Sequence, residues 1–170
     1  MNTHEISSIL HNDKLTKHIF KGVFAADQVP NLDGKMYEAY VINTDELGLP
    51  GKHWVSVFID NFQLEYFDSY GLSPLGKFDY FLNDKSYKFN AEQLQSILTT
   101  VCGHYAIYFL LKRCKNISMQ EIVNEFSDDY LKNDGNVFFT INKRYDLPIL
   151  PVRSRKICSD GQTCQPYRKQ

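Results

Sequence analysis

The first seventy residues carry the hydrophobic patterns of both helices and strands. Apolar residues at helical spacing predict a short amphipathic helix over residues 3–11. Two segments rich in aromatic and β-branched residues, Phe20–Phe24 and Tyr37–Asn43, predict strands. The region between them contains Pro30 and Asp33-Gly34 and predicts a turn.

The clearest strand signal lies between residues 53 and 67. A loop over residues 45–52, with two glycines and a proline, opens into the apolar segment His53–Asp60. A second segment, Leu64–Phe67, follows after a short connection at Asn61, so the two segments predict a β-hairpin. Residues 69–74 contain Gly and Pro and predict a turn.

The second half of the chain is predominantly helical. Residues 74–83 predict a helix rich in aromatic side chains. A strongly apolar helix is predicted from Cys102 to Lys112-Arg113, with Thr99 or Thr100 as its cap and the two cations at its C-terminal end.

Two more helical patterns follow. Ser118 to Glu121 has the form of a capping box, and apolar residues at helical spacing continue from there to Leu131. Val137 to Tyr145 predicts a further helix, whereas the residues after Pro151 show no period. Helices and antiparallel strands thus occupy separate parts of the chain, which predicts an α+β fold.

The composition indicates one globular domain with a basic end. The chain has 170 residues, of which 43% are hydrophobic, enough to bury a core without disulfides or metal. We predict a single domain over residues 1–150 and a tail over residues 151–170, which carry net charges of −5 and +4. The overall charge of −1 argues against a protein dominated by nucleic-acid or anionic-membrane binding. A flexible basic tail and a weak DNA contact are two interpretations of the tail's charge.

The sequence favours an intracellular protein. Residues 1–10 lack the cationic segment and apolar core of a secretory signal, and no apolar run approaches the roughly 20 residues that span a bilayer. The four cysteines are therefore expected to be reduced. Cys158 and Cys164 lack the spacing and the second ligand pair of a zinc site, so no metal is expected, and Cys114 is expected in the core.

Cys102 is a candidate nucleophile because it begins the predicted apolar helix. Unpaired N–H groups and the helix dipole lower a thiol pKa at such a position. Gly103 directly after it would allow close approach of backbone or substrate. Cysteine is also among the most frequently buried residues, so its own surroundings leave a nucleophile and a buried thiol equally open.

Among the five histidines, His53 is the best candidate for the base. It opens a strand directly after a glycine-containing loop, where chemistry is often found, although an ordinary half-buried histidine fits there too. The three histidines within residues 4–18 have little apolar context. His104 follows Cys102 by two residues, and side chains so spaced point apart on a helix, so it is expected at the surface or behind the site.

Asp68 ends the strand that is predicted to pair with that of His53. Since the hairpin turn lies near residues 60–63, the two strand ends meet, and the carboxylate would hold one imidazole nitrogen while the other faces the thiol. Taken alone, an aspartate before Ser69-Tyr70-Gly71 would be a solvated turn residue.

Four separate motifs resemble the adenain family of adenovirus-type cysteine endopeptidases, which shares a clan with the ubiquitin-like-protein proteases. They are His53-Trp54, the Tyr-Phe-Asp-Ser-Tyr-Gly segment around Asp68, Gln95 seven residues before the cysteine, and Cys102-Gly103. Phe20–Asp27 also resembles the segment that precedes the first strands in such enzymes, and the likeness covers about residues 15–145. It is closest to the proteases of adenovirus-like DNA viruses and Polinton (Maverick) elements.

The resemblance implies a papain-like, adenain-type fold, in which helices pack against an antiparallel sheet and the nucleophile begins a central helix. It implies Cys102 as nucleophile, His53 as general base and Asp68 as the acid that orients the base. The Gln95 side chain and the Cys102 N–H would then stabilise the oxyanion.

The resemblance also places Trp54 and Gly103 beside the substrate or around the catalytic residues. The acid is Asp rather than the Glu of adenain, as in the ubiquitin-like-protein proteases. No cysteine lies between Asp68 and Cys102, so the disulfide through which a viral peptide activates adenain has no counterpart here. No cofactor is expected, and activation by a peptide or by DNA is implied by the resemblance only.

The sequence therefore predicts a cysteine endopeptidase that cleaves viral precursor or capsid proteins during maturation. We expect a monomer without a membrane partner, located in the host nucleus or cytoplasm and packaged in virions. A protease that removes a ubiquitin-like modifier is the alternative, because its chemistry would be the same. An acetyltransferase and a non-enzymatic interaction module are two further alternatives.

Overall fold

The computed structural model describes residues 1–30, 37–61, 63–74, 76–78, 82, 86–148, 156–157 and 163–164. The helices of this part are α1 (Thr3–Asn12), α2 (Cys102–Arg113), α3 (Met119–Val123) and α4 (Tyr130–Arg144), with a 3-10 turn at Gly76–Phe78. The strands are β1 (Phe20–Phe24), β2 (Glu38–Asn43), β3 (Trp54–Asp60), β4 (Gln63–Phe67), β5 (Tyr87–Phe89), β6 (Lys156–Ile157) and β7 (Thr163–Cys164). The predicted α+β class is confirmed.

Both faces of the central strands β2, β3 and β4 are buried, and alternation along these strands supplies a separate core to each face. On β2, Val41 packs toward α1, α2 and α4, and Ile42 packs into the core on the other face. On β3, Phe58 joins the helix side and Val57 the opposite side. This two-sided burial explains why the strands read as nearly continuous apolar segments in the sequence.

The main sheet has the strand order β1-β2-β3-β4-β5, and it is not the purely antiparallel sheet that was predicted. The central strands β2, β3 and β4 pair antiparallel, but β1 pairs with β2 and β5 with β4 in parallel. The prediction was wrong at both edges because the connections there, residues 25–37 and 68–86, are long enough to return the chain to the same end of the sheet.

The predicted hairpin between β3 and β4 is confirmed. Its register pairs Asp60 with Gln63 around a tight turn. Asn61 has a φ of 45°, a left-handed conformation that asparagine tolerates in turns. The hairpin therefore brings the residue before β3, His53, to the same end as the residue after β4, Asp68.

Helix α2 is the central helix and has the predicted bounds, but its cap differs. Ser56 Oγ donates to the Ala106 carbonyl at 3.1 Å and ties β3 to the helix. The predicted threonine cap is wrong, because Val101 is the N-cap residue and no side chain bonds to the first turn. The Thr99 hydroxyl instead donates to Asp134 Oδ2 on α4 at 2.8 Å.

The helical pattern that begins at Ser118 forms two helices rather than one. Ser118 and Glu121 make the predicted capping box at the start of α3. The chain then turns, and α4 begins with Asp129 as its N-cap. The Asn133 side chain stabilises this turn by donating to the Ser127 carbonyl at 2.7 Å. A single helix was predicted because the helical spacing of apolar residues continues across this turn. The predicted helix over Val137 to Tyr145 lies within α4, apart from its last residue.

Some predictions lie outside the described residues. These are the turn at Asp33-Gly34, most of the helix over residues 74–83, and the side chains of the basic tail. Across the described ranges, no helix has both the length and the apolar character needed to cross a membrane.

Candidate active site

His53 lies at the mouth of β3, immediately before the first residue of the strand. The Thr44 N–H donates to the His53 carbonyl at 2.9 Å and closes the loop between them. Gly51 in this loop has a φ of 77°, and a Cβ there would lie 2.5 Å from Asn43 Nδ2. Glycine adopts this left-handed conformation without strain and makes room for the Asn43 side chain, so Gly51 suits the loop that leads into His53.

Asp68 follows β4, and its carboxylate faces His53. Asp68 Oδ1 lies 2.7 Å from His53 Nε2 and also accepts the Tyr70 N–H at 2.8 Å. The Asn90 side chain holds the backbone of Asp68 at two points, accepting its N–H at 2.8 Å and donating to its carbonyl at 2.6 Å. The buried carboxylate is thus fixed in one orientation toward the imidazole.

Cys102 is the first residue of α2 and is 6% exposed. The N-cap residue of α2, Val101, offers no side-chain acceptor to the N–H groups of the first turn. The thiol interacts with the His53 imidazole and with the Trp54 N–H at the start of β3. The beginnings of α2 and β3 and the open end of the hairpin therefore meet at this sulfur atom.

The pKa values of Cys102 and His53 shift in the directions expected of a thiolate–imidazolium pair. Burial raises the pKa of the Cys102 thiol, but His53 and the Trp54 N–H outweigh it and bring the pKa below its ordinary value of 9.0. Burial lowers the pKa of His53, but the hydrogen bond that the imidazole donates to Asp68 and the interaction with Cys102 raise it to about 9. Both shifts act in the direction that favours the thiolate–imidazolium pair over the neutral pair.

The hydrogen bond to Asp68 determines which ring nitrogen of His53 can act as the base toward Cys102. Nε2 bonds to Asp68, so neutral His53 carries its proton there and Nδ1 is left as the base. Nδ1 is buried and makes no regular hydrogen bond to any residue that the structure describes, although the ring interacts with the Cys102 thiol. Such contacts are often long in unliganded enzymes and tighten when substrate binds.

Gln95 is fully buried, and hydrogen bonds at both ends orient its amide. The Ser69 hydroxyl donates to Gln95 Oε1 at 2.7 Å. Gln95 Nε2 donates to the carbonyl and hydroxyl oxygens of Thr99, each at 3.3 Å. The Gln95 N–H also donates to the Ser69 carbonyl at 3.0 Å. Gln95 is thus joined to the turn after Asp68, and its role toward an oxyanion stays a prediction.

Trp54 and Gly103 lie next to each other beside Cys102. A Cβ added to Gly103 would lie 3.1 Å from Met1 Cβ, 3.2 Å from Ile6 Cδ1 and 3.4 Å from Trp54 Cδ1. The Trp54 indole N–H donates to the Met1 carbonyl at 3.3 Å. Gly103 therefore lets the start of α1 pack closely against α2, and its contact with substrate stays a prediction.

Two residues that hold the site, Tyr70 and Asn90, were not predicted from the sequence. The Tyr70 ring stacks on the His53 imidazole, with ring centroids 4.6 Å apart and an interplanar angle of 26°. The hairpin register explains this contact, because continuing the β3–β4 pairing brings residue 70 opposite residue 53. That signal was present in the sequence, whereas Asn90 lies after a short exposed strand with no recognisable pattern.

Replacing Tyr70 by Ala is expected to lower kcat about two- to thirtyfold, because an aromatic face stabilises a neighbouring cation by roughly 0.5 to 2 kcal/mol. The pKa of His53 should fall in the same variant. Tyr70→Phe keeps the ring and should retain both values. NMR titration of His53 measures the pKa directly, and an unchanged pKa in Tyr70→Ala would show that the stacking has no electrostatic role.

His104 is buried rather than exposed, which corrects one half of its prediction. Its Nε2 lies 3.2 Å from Asn142 Oδ1, and its ring packs on Phe138, because α4 crosses this side of α2. Burial lowers the pKa of His104 to about 4, so the imidazole is neutral at physiological pH.

Cys114 is the C-cap residue of α2, at the opposite end of the helix from Cys102. Cys114 is half-buried against the core, as predicted, and burial raises the pKa of its thiol to about 11. The predictions for Cys158 and Cys164 concern side chains outside the described part of the chain.

Comparison with curated proteins finds cysteine proteases of large DNA viruses. The putative thiol protease R355 of Acanthamoeba polyphaga mimivirus is 33% identical over 122 residues, which cover 63% of this chain and 40% of that protein. The cysteine protease S273R of African swine fever virus, isolate Tick/Malawi/Lil 20-1/1983, is 27% identical over 128 residues, which cover 60% of this chain and 45% of that protein. The corresponding protein of the isolate Warthog/Namibia/Wart80/1980 bears the name SUMO-1 cysteine protease S273R. It is 26% identical over 128 residues, which again cover 60% of this chain and 45% of that protein.

The fold also has a counterpart among solved structures. The crystal structure of the African swine fever virus pS273R protease matches with a TM-score of 0.56 and 20% identity, over 80% of this chain and 65% of that chain. No protein-family model matches the chain. The chain spans less than half the length of the curated relatives it matches. In sequence it is thus similar to viral cysteine proteases, and in fold it is similar to the African swine fever virus pS273R protease.

Proposed function

We propose that this chain is a cysteine endopeptidase of the adenain type, with Cys102, His53 and Asp68 as its catalytic triad. The observation that carries the proposal is the buried hydrogen bond between His53 Nε2 and Asp68 Oδ1, 2.7 Å long, together with the interaction of His53 with Cys102 that lowers the pKa of the thiol. The protease names of the relatives support the same chemistry. We assign this activity to residues 1–150, with residues 151–170 as a basic tail.

The first half of the reaction forms an acyl-enzyme. The Cys102 thiolate attacks the carbonyl carbon of the scissile peptide bond, and the carbonyl oxygen becomes an oxyanion. As the C–N bond breaks, the His53 imidazolium gives its Nδ1 proton to the leaving amine. The products of this step are a thioester at Cys102, a free amine and a neutral imidazole.

The second half releases the acid. A water molecule attacks the thioester while His53 Nδ1 takes one of its protons, and the collapse of the intermediate returns the thiolate. In both halves the Gln95 amide and the Cys102 N–H would donate to the oxyanion. Each such donor contributes on the order of 3 kcal/mol to transition-state stabilisation.

The proposed substrates are viral precursor or capsid proteins cleaved during maturation. The resemblance to adenain favours small residues, above all glycine, at the cleaved bond. We propose a monomeric enzyme that acts in the infected cell and is packaged in virions. A contact of the basic tail with DNA belongs to the same proposal and rests on the tail's charge of +4.

A second candidate is removal of a ubiquitin-like modifier from its conjugates. The specific observation in its favour is the name SUMO-1 cysteine protease borne by one of the relatives. The triad would be the same, so only the substrate separates this function from precursor cleavage.

The test is to incubate the chain with viral precursor proteins and, in parallel, with a panel of SUMO and ubiquitin conjugates. We expect cleavage of precursors at small residues by the wild type and none by Cys102→Ala. Rapid cleavage of the conjugates with intact precursors would replace the first function by the second. Absence of Cys102-dependent cleavage in both sets would contradict both.

A further inference from the structure

We propose that Asp134 is a positioning residue that orients the Gln95 amide toward the oxyanion through the hydroxyl of Thr99. The inference rests on the proposed function, because it assigns a task to Gln95 within the oxyanion hole. Asp134 lies on α4, away from the triad, and nothing in the catalytic steps uses it directly.

Asp134 is a buried carboxylate surrounded by donors. It is 1% exposed and accepts the Thr99 hydroxyl at 2.8 Å, the Tyr105 hydroxyl at 3.0 Å and the Ser96 N–H at 3.2 Å. Burial raises its pKa to about 6 against the opposing effect of these hydrogen bonds. The group is therefore a carboxylate at neutral pH and can only accept hydrogen bonds.

The direction of one hydrogen atom follows from this. The Thr99 hydroxyl carries a single hydrogen, and its shortest bond goes to Asp134 Oδ2 at 2.8 Å, whereas the Ser96 carbonyl lies at 3.3 Å. With its hydrogen directed to Asp134, Thr99 Oγ1 presents a lone pair to Gln95 Nε2 at 3.3 Å. A lone pair accepts an N–H and repels a carbonyl oxygen, so Thr99 favours the orientation of Gln95 in which the side-chain nitrogen, and not the side-chain oxygen, faces it.

A hydrogen bond at the side-chain oxygen of Gln95 favours the same orientation of the amide. The Ser69 hydroxyl donates to Gln95 Oε1 at 2.7 Å and keeps the carbonyl on the side of the Asp68 turn. Both acceptors of Nε2 belong to Thr99, so one of its two hydrogens can be shared between them, which leaves the other hydrogen to donate to an oxyanion. Asp134 and Ser69 thus fix the amide from opposite ends.

Helix α4 also holds the loop that carries Gln95. The Asn133 side chain donates to the Leu94 carbonyl at 3.1 Å, and Asp134 accepts the Ser96 N–H. These two neighbouring residues of α4 therefore form hydrogen bonds with the backbone on both sides of Gln95. Helix α4 therefore positions both the backbone of the loop and, through Thr99, the side-chain amide of Gln95.

The test uses hydrolysis of p-nitrophenyl acetate, which requires the thiol and the oxyanion donors but no particular peptide. Asp134→Asn and Thr99→Val are each expected to lower kcat about tenfold at unchanged KM, the loss of about one hydrogen bond. Alkylation of Cys102 by iodoacetamide should stay at the wild-type rate, since that reaction forms no oxyanion. Tyr105→Phe is the control, because it removes another donor to Asp134, and a bond to the Leu94 carbonyl, without touching Thr99. It should lose less kcat.

The Gln95→Ala background decides the interpretation. If Asp134 acts through Gln95, Asp134→Asn and Thr99→Val cause no further loss there. An equal loss in both backgrounds, or an equal loss in Tyr105→Phe, would overturn the inference and leave the proposed function standing. Absence of Cys102-dependent hydrolysis in the wild type would overturn both. Thr99→Val keeps the question decidable if Asp134→Asn does not fold.

Discussion

Replacing Asp68 by Ala is expected to lower kcat/KM by about 10⁴-fold, as removal of the acid does in comparable triads. Asp68 Oδ1 holds the Nε2 side of His53, so its loss frees the imidazole to rotate and to adopt the other tautomer. The Asp68 hydrogen bond also raises the pKa of His53 toward about 9. Wild-type activity should therefore decline as the pH rises through that value, and in Asp68→Ala the decline should begin at lower pH.

Asp68→Asn separates the two contributions of the acid. Because the Tyr70 N–H and His53 both bond to the same oxygen, Oδ1, an asparagine can keep its carbonyl there and preserve the tautomer. We therefore expect Asp68→Asn to retain more activity than Asp68→Ala but to show the same earlier alkaline decline. The measurement is the pH profile of kcat/KM for both variants, and a loss of less than about tenfold in Asp68→Ala would contradict the triad.

Replacing Gln95 by Ala is expected to lower kcat by about 10²- to 10³-fold with little change in KM, the usual result of losing one oxyanion donor. The donor acts only when charge develops on the carbonyl oxygen, so ground-state binding should survive. Cys102 should still be alkylated at the wild-type rate, because Gln95 makes no hydrogen bond to the thiol in the described structure.

Gln95→Ala needs a control, because Gln95 is completely buried and the cavity left by its side chain could lower kcat by disturbing the fold. Ser69→Ala removes the hydroxyl that bonds to Gln95 Oε1 and leaves the amide itself in place. It should lose far less kcat than Gln95→Ala at a comparable cost in the free energy of unfolding, measured in urea. Equal kcat losses in the two variants would indicate that Gln95 supports the loop rather than the oxyanion.

The parts of the fold that were predicted from the sequence depend on local patterns. The hairpin follows from two apolar segments around Asn61, and its geometry alone brings His53 and Asp68 to one end. Helix α2 follows from a long apolar segment that ends in two cations. These features need no knowledge of distant contacts, because the relevant residues are close in sequence.

The parts that were not predicted depend on contacts between distant segments. Strand β5 is short and exposed, so it has no alternating pattern, yet it pairs with β4 and leads to Asn90 beside Asp68. Thr99 was expected to cap α2, but α4 offers it the carboxylate of Asp134. His104 was expected either at the surface or behind the site, because the packing of α4 over α2, which buries it, has no local signature.

The most direct test of the thiolate–imidazolium pair is the rate of Cys102 alkylation by iodoacetamide as a function of pH, followed cysteine by cysteine with mass spectrometry. In the wild type, the lowered pKa of Cys102 should make the rate rise to its maximum at a lower pH than for an ordinary thiol. In His53→Ala the rate should rise only at alkaline pH, as for an ordinary thiol. The central claim would be contradicted if Cys102 were alkylated no faster than Cys114 and His53→Ala left its rate unchanged.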